Sequence, residues 1–207
     1  MLSFIHTITN PQAIISTFGL IGVIVIIFLE TGFFFGFFFP GDSLLFTAGL
    51  LASQGYMNVA LLFLGAFVAA VLGDSVGYSF GRKVGPSMFT REDSVLFNKK
   101  HIARAQHFYE IYGAKVLILA RFMPVVRTFA PIVAGIGNMK YRTFLVYNVL
   151  GGLLWTGLMV GLGYGFGATL TKMGIDPDKY LLPVIGLIIV ISILPAIREI
   201  LKKKPVV

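Results

Sequence analysis

Long apolar runs that do not alternate dominate this chain and leave it few ways to fold. Leu20 to Leu29 and Leu181 to Leu194 lack the polar–apolar rhythm of a transmembrane β-strand, so an all-α fold is expected. Residues 13–29, 57–81, 143–170 and 181–198 each approach or exceed the roughly 20 apolar residues that a helix needs to cross a bilayer, the last being short. The rest of the composition agrees. Of 207 residues, 57% are hydrophobic and 13% charged, and the mean hydropathy is +0.87. A soluble domain carries about 25% charged residues. An ordinary cytosolic enzyme, a disordered tail and a coiled coil are thereby excluded. A single polytopic helical membrane domain over 1–207 remains.

The placement of Lys and Arg sets the expected sidedness. Arg82, Lys83, Arg91, Lys99, Lys100, Arg104 and Lys115 crowd one loop, 82–115. Arg198, Lys202, Lys203 and Lys204 lie near the chain end, and Lys140 with Arg142 mark a third place. The positive-inside rule assigns these to the cytoplasm and the charge-balanced loop around Lys172, Asp176, Asp178 and Lys179 to the outside. About four transmembrane helices with both termini cytoplasmic are expected. No Lys or Arg precedes Arg82, so a signal-peptide start is not expected. Residues 98–112 suit an interfacial helix, with Ile102, Ala105, Phe108, Tyr109 and Tyr112 on one face and Lys99, Lys100 and Arg104 on the other. The pI near 9.8 does not imply nucleic acid, because the basic residues flank apolar segments rather than cover a face of a soluble module.

Two stretches, 30–52 and 116–138, fit no simple span. Both are interrupted by proline and glycine (Pro40 and Gly41; Pro124, Pro131, Gly135 and Gly137), and both carry charge. Re-entrant hairpins are the expected form, since non-helical backbone at membrane depth is tolerated where protein or a cavity encloses it. Gapless alignment of 48–81 with 134–167 pairs Ala48/Ala134, Gly49/Gly135, Leu64/Leu150, Gly65/Gly151, Leu72/Leu158, Gly77/Gly163, Tyr78/Tyr164, Phe80/Phe166 and Gly81/Gly167. The first copy ends at the inside charges and the second before the outside loop. An inverted repeat is therefore expected, with repeat one at about 30–81, repeat two at about 116–167 and a final helix at 181–198. Gly73, Gly77 and Gly81, and likewise Gly157, Gly161 and Gly165, recur every fourth residue, a spacing expected to serve close helix packing.

Four ionisable residues stand in the hairpins: Glu30 and Asp42 in the first, Arg121 and Arg127 in the second. A lone charge at mid-bilayer costs about 2.5–3.5 kcal/mol on insertion scales, so two acids and two bases are expected to pair. Pro40-Gly41 is expected to turn the chain, with Asp42 capping a helix that begins at Ser43. A continuous helix would set Arg121 and Arg127 about 240° apart around its axis. A break at Pro124 lets both guanidiniums aim at one point, where two arginines and nearby helix N-termini suit a phosphate. A buried ion-pair network that only locks the hairpins together is the alternative. Asp74, on the span of repeat one, either relays a proton or pairs locally with Arg82.

Catalytic, metal and cofactor roles find no support in the sequence. There is no cysteine, and His6, His101 and His107 lie outside the apolar core. Val71-Leu72-Gly73-Asp74 lacks the first glycine of the G-x-G-D of intramembrane aspartyl proteases. A lipid phosphatase would need a nucleophile and a histidine in the core.

Phe28-Leu29-Glu30-Thr31-Gly32, Phe39-Pro40-Gly41-Asp42-Ser43-Leu44-Leu45, Gly73-Asp74, the run from Ala120-Arg121 through Pro124 and Arg127 to Pro131, and Ala134-Gly135 together resemble the DedA family (SNARE-associated, or VTT, domain). The resemblance covers about residues 13–200 and is to the DedA branch. It implies a bacterial inner-membrane protein with two opposed re-entrant hairpins that moves lipids between leaflets. The implied partners are membrane lipids, undecaprenyl phosphate or a phospholipid, and protons of the proton-motive force. Glu30, Asp42, Arg121 and Arg127 carry over as the functional acidic and basic positions. A homo-oligomer is compatible with this reading. The rival readings are a proton- or cation-coupled exporter of small solutes and a scaffold for envelope assembly.

Overall fold

A computed structural model describes residues 11–33, 40–90 and 111–175, with Tyr109, Pro177, Tyr180, Pro183 and Gly186. Most of the expected interfacial helix at 98–112 and of the final span at 181–198 lies outside the described residues, as do residues 34–39 of the first hairpin. Every regular element among the described residues is a helix. They are α1 (Pro11–Gly32), α2 (Gly41–Ser53), α3 (Val59–Thr90), α4 (Val116–Ala120), α5 (Pro124–Ile136) and α6 (Tyr141–Lys172).

Local chemistry accounts for the helix ends. Gly19, at φ 57° and ψ −147°, puts a kink into α1 that a residue with a Cβ would resist. Asn58 caps α3, its Oδ1 accepting from the backbone N–H groups of Ala60 at 2.9 Å and Leu61 at 3.1 Å. Lys172 stands in the last turn of α6, where a cation meets the negative end of the helix dipole, and Gly174 turns the chain away at φ 72°. Among the described residues two helices are long and apolar enough to cross a membrane, Val59–Val84 within α3 and Tyr141–Lys172. Leu61, Leu64, Val68, Leu72, Val76 and Phe80 form an exposed apolar stripe along α3, and Leu150, Leu154, Leu158 and Leu162 another along α6. Such surfaces suit lipid and not water.

The helices interlock across the repeat. α2 packs most extensively on α6, and α5 on α3, while α1 also leans on α3. Gly49 of α2 rests against the α6 backbone at Val160 and Tyr164, and its repeat mate Gly135 rests against the α3 backbone at Tyr78 and Arg82. Each short helix thus lies on the long helix of the other half, but the two contacts differ by one turn, since Val160 aligns with Asp74 and Tyr78 with Tyr164. Where α1 crosses α3, a Cβ on Gly32 would stand 3.1 Å from Gly73 Cα.

Several expectations change. Glu30, expected at the start of the first hairpin, lies in the last turn of α1. Pro131 lies inside α5 and breaks nothing. Its missing N–H forfeits one backbone bond, which a helix surrounded by protein tolerates. Asp42 does not cap: α2 begins at Gly41 with Pro40 in the cap position, and Ser43 Oγ donates to Pro40 O at 3.0 Å. Gly73, Gly77 and Gly81 do pack, on α1 and α5, but Gly161 and Gly165 have no neighbour among the described residues within 4 Å of an added Cβ. In α6 the close approach to α2 is made by Gly163 and Gly167, at Phe46 and Leu50. Spacing defines a stripe, but only the neighbouring helix selects which stripe is covered.

Candidate functional site

Arg127 sits one turn into α5, whose first residue is Pro124, so the proline break stands as expected and supplies a fixed φ at N1. Its Nη2 pairs with Glu30 Oε1, and its Nη1 with Asp42 Oδ1 at 2.6 Å. Both acids of the first half thus converge on one guanidinium. Glu30 is wholly buried and Arg127 is 6% exposed. Gly41 makes the approach possible: a Cβ there would collide with the Glu30 carboxylate, coming within 2.7 Å of Oε1 and nearer still to the other carboxylate atoms. The carboxylate therefore lies at the N-terminal end of α2, where the helix dipole favours an anion. Arg127 at the start of α5 is in the opposite situation, and the two acids offset it.

Arg121 is presented differently. α4 ends at Ala120, and Met123 is extended (φ −115°, ψ 106°), the conformation that a following proline enforces. The Arg121 guanidinium spans two long helices. Nη2 donates to Asp74 Oδ2 at 2.5 Å and to Ala70 O at 3.1 Å, both on α3. Nη1 donates to Asn148 O at 2.8 Å and Asn148 Oδ1 at 3.1 Å, both on α6. Asn148 Nδ2 in turn donates to Val71 O at 3.0 Å. Gly152 leaves room for the arm, since a Cβ there would stand 2.7 Å from Nη1.

Asp74 therefore pairs with Arg121 and not with Arg82. Two helical turns, about 12 Å of rise, separate positions 74 and 82 on α3. Arg82 Nη1 instead donates to the Tyr78 hydroxyl at 3.0 Å, which donates to Met139 O. The expected set of two acids and two bases becomes three acids and two bases in two groups.

Trp155 joins the groups. Its Nε1 donates to Asp42 Oδ1 at 2.7 Å, and its ring centre lies 4.9 Å from the Arg127 guanidinium carbon and 5.9 Å from that of Arg121. Both distances allow cation–π attraction. Sequence reasoning passed over Trp155 and Asn148. The available signals were the chain's single tryptophan and a lone amide within an apolar span. Two buried atoms of the cluster, Glu30 Oε2 and Arg127 Nε, have no hydrogen-bond partner among the described residues. A narrow cleft reaches the cluster, lined by Asp74, Arg121, Arg127 and Asn148 with the apolar Leu117 and Phe144 among its walls.

Long apolar helices with outward-facing apolar stripes, closed over a buried cluster of paired charges, define a helical membrane protein. The chain belongs to the DedA family. The VTT domain matches residues 39–165. The chain is 45% identical over 182 residues to Protein DedA of Escherichia coli K12, covering 87% of this chain and 81% of that one. It is 41% identical over 158 residues to an uncharacterised membrane protein of Mycobacterium leprae (76% and 71% covered). It is 34% identical over 164 residues to the inner membrane protein YqjA of Escherichia coli K12 (79% and 74% covered). No solved structure matches it.

Proposed function

We propose that this protein moves an anionic lipid, a lipid phosphate such as undecaprenyl phosphate or a phospholipid, between the leaflets of the bacterial cytoplasmic membrane. One observation carries the reading: two arginines from a single broken helix, each held by carboxylate, lie buried beside a cleft between the halves of the protein. A guanidinium binds phosphate and carboxylate by the same bidentate fork. A phosphate headgroup therefore competes with the internal acids, while its acyl or prenyl tail stays in lipid. In this reading α2 and the α4–α5 pair are re-entrant, and their N-terminal ends add the positive end of the helix dipole to the site.

Charge arithmetic supports coupling to protons. Three acids against two arginines leave one negative charge when all are ionised, and burying an uncompensated charge is costly. One proton on the cluster removes it. A proton crossing the membrane field supplies about 2.3 kcal/mol per 100 mV, so a carboxylate that is protonated on one side and released on the other can drive headgroup exchange.

Leaflet exchange in proteoliposomes, comparing undecaprenyl phosphate with ordinary phospholipid at set pH gradients, tests this directly. Arg127→Lys is expected to insert normally yet transport at least tenfold more slowly, because lysine lacks the fork. Equal transport by the lysine variant would remove the phosphate clamp. Ion flux without lipid movement would instead favour an exporter of small solutes.

A further inference from the structure

We propose that Asp74 is the internal anion that an incoming phosphate headgroup displaces, while Glu30 and Asp42 remain on Arg127 as its fixed support. The inference rests on the lipid-phosphate reading and assigns different work to its three acids. Access is the first argument. The cleft is lined by Asp74, Arg121, Arg127 and Asn148, and neither Glu30 nor Asp42 lines it. A headgroup arriving through the cleft meets Asp74, Arg121 and Arg127 in its walls, and neither Glu30 nor Asp42.

Freedom to move is the second argument. Asp42 Oδ1 is pinned by both Arg127 Nη1 and Trp155 Nε1. The Glu30 carboxylate fills the space that a Cβ on Gly41 would need. Asp74 accepts from one donor among the described residues, Arg121 Nη2. When Asp74 withdraws, Arg121 keeps Ala70 O, Asn148 O and Asn148 Oδ1, so the arm stays in place. The exchange then frees a donor on Arg121, and Arg127 contributes the buried Nε–H that has no partner among the described residues. Two donors, one from each arginine, suit a phosphate's several oxygens.

The experiment titrates dodecyl phosphate, a single-chain alkyl phosphate, into the full chain in neutral detergent micelles. Trp155 fluorescence and the ligand-induced rise in Tm are read together; with a single tryptophan in the chain, the emission belongs to the site. The wild type is expected to bind saturably. Asp74→Asn, nearly isosteric, is expected to bind about tenfold more tightly, a usual size for coupling between two ligands of one site, and Asp42→Asn is expected not to tighten. Asn148→Asp places a second carboxylate on Arg121 and is expected to weaken binding by a similar factor, which keeps the test open if Asp74→Asn does not fold. A wild type that binds, joined to an Asp74→Asn that binds no tighter, overturns the inference alone. So does an Asp42→Asn that tightens as much, or, where Asp74→Asn does not fold, an Asn148→Asp that binds as the wild type does. A wild type with neither a fluorescence change nor a rise in Tm removes the lipid-phosphate reading and this inference together.

Discussion

In the first half of the chain a short helix starts beside Pro40 and lies on α6; in the second a short helix starts at Pro124 and lies on α3. Gly49 and Gly135 each press on a long-helix backbone, at aligned places one turn apart. At the starts of those helices the halves part company. The repeat alignment puts Arg127 opposite Gly41, one residue from Asp42, and the two side chains pair with each other across the molecule. Identical residues at both tips would set like charges together in a buried place, at a cost of several kcal/mol per uncompensated ion. Packing by close backbone approach is met on both sides, whereas the meeting point of the two halves requires opposite chemistry.

The largest expected effect breaks that opposition. Arg127→Ala leaves Glu30 and Asp42 buried without the guanidinium that neutralises them and is expected to cost about 3–5 kcal/mol of stability, read as a lowered unfolding midpoint in micelles. Asp42→Asn leaves Arg127 its pair with Glu30 and is expected to cost less than half as much. Equal losses would mean that the two tips are not chemically distinct in the way their pairing indicates.

The next pair tests the shared packing. Gly49→Ala drives a Cβ into the α6 backbone, within 3.1 Å of Tyr164 N and closer to Val160 O, and Gly135→Ala does the same against α3, within 2.7 Å of Arg82 N. Each is expected to cost about 2–3 kcal/mol, since neither clash can be relieved by turning a side chain. A loss at one position without the other would show that only one of the two helix pairs is tightly seated.

Much of this arrangement was legible in the sequence. Long apolar runs place α3 and α6, because a bilayer rewards uninterrupted apolar helix. Pro40 and Pro124 mark real helix starts, because proline fixes φ and lacks the donor. That the buried acids and arginines pair follows from the cost of lone charge in lipid, but not that Glu30 and Asp42 both fall to Arg127. What the sequence withheld depends on neighbours. Asp74 finds Arg121 from 47 positions away, and spacing along one helix says nothing of what arrives beside it. Trp155 has Ala69 as its repeat mate, and Gly161 and Gly165 have Ser75 and Ser79, so the repeat gives no sign of the first and warns against reading the others as packed. Gly163 and Gly167, mates of Gly77 and Gly81, were the better guide.

Trp155→Phe sharpens the comparison at the junction itself. It keeps an aromatic ring near both guanidiniums and removes the Nε1 donor to Asp42, while Asp42 Oδ1 retains Arg127. Only one hydrogen bond to a charged group is lost and no acceptor is stranded, so the expected cost is about 1.5 kcal/mol. A loss as large as that of Arg127→Ala would move the keystone of the molecule from the arginine to the indole.

The smallest effect has the opposite sign. Among the described residues nothing lies within 4 Å of a Cβ added at Gly161 or Gly165; their α3 counterparts are serines, of which Ser75 accepts from the Tyr141 hydroxyl of α6 at 3.4 Å. Gly161→Ala is expected to stabilise α6 by up to about 1 kcal/mol, the usual difference between alanine and glycine within a helix. Gly163→Ala, two residues on and pressed against Phe46 O, is expected to destabilise it. Measured side by side in micelles, the two alanines separate helix propensity from helix contact in one turn of one helix. A loss at Gly161 in bilayers that is absent in micelles would mean that a second copy of the chain covers this face in the membrane.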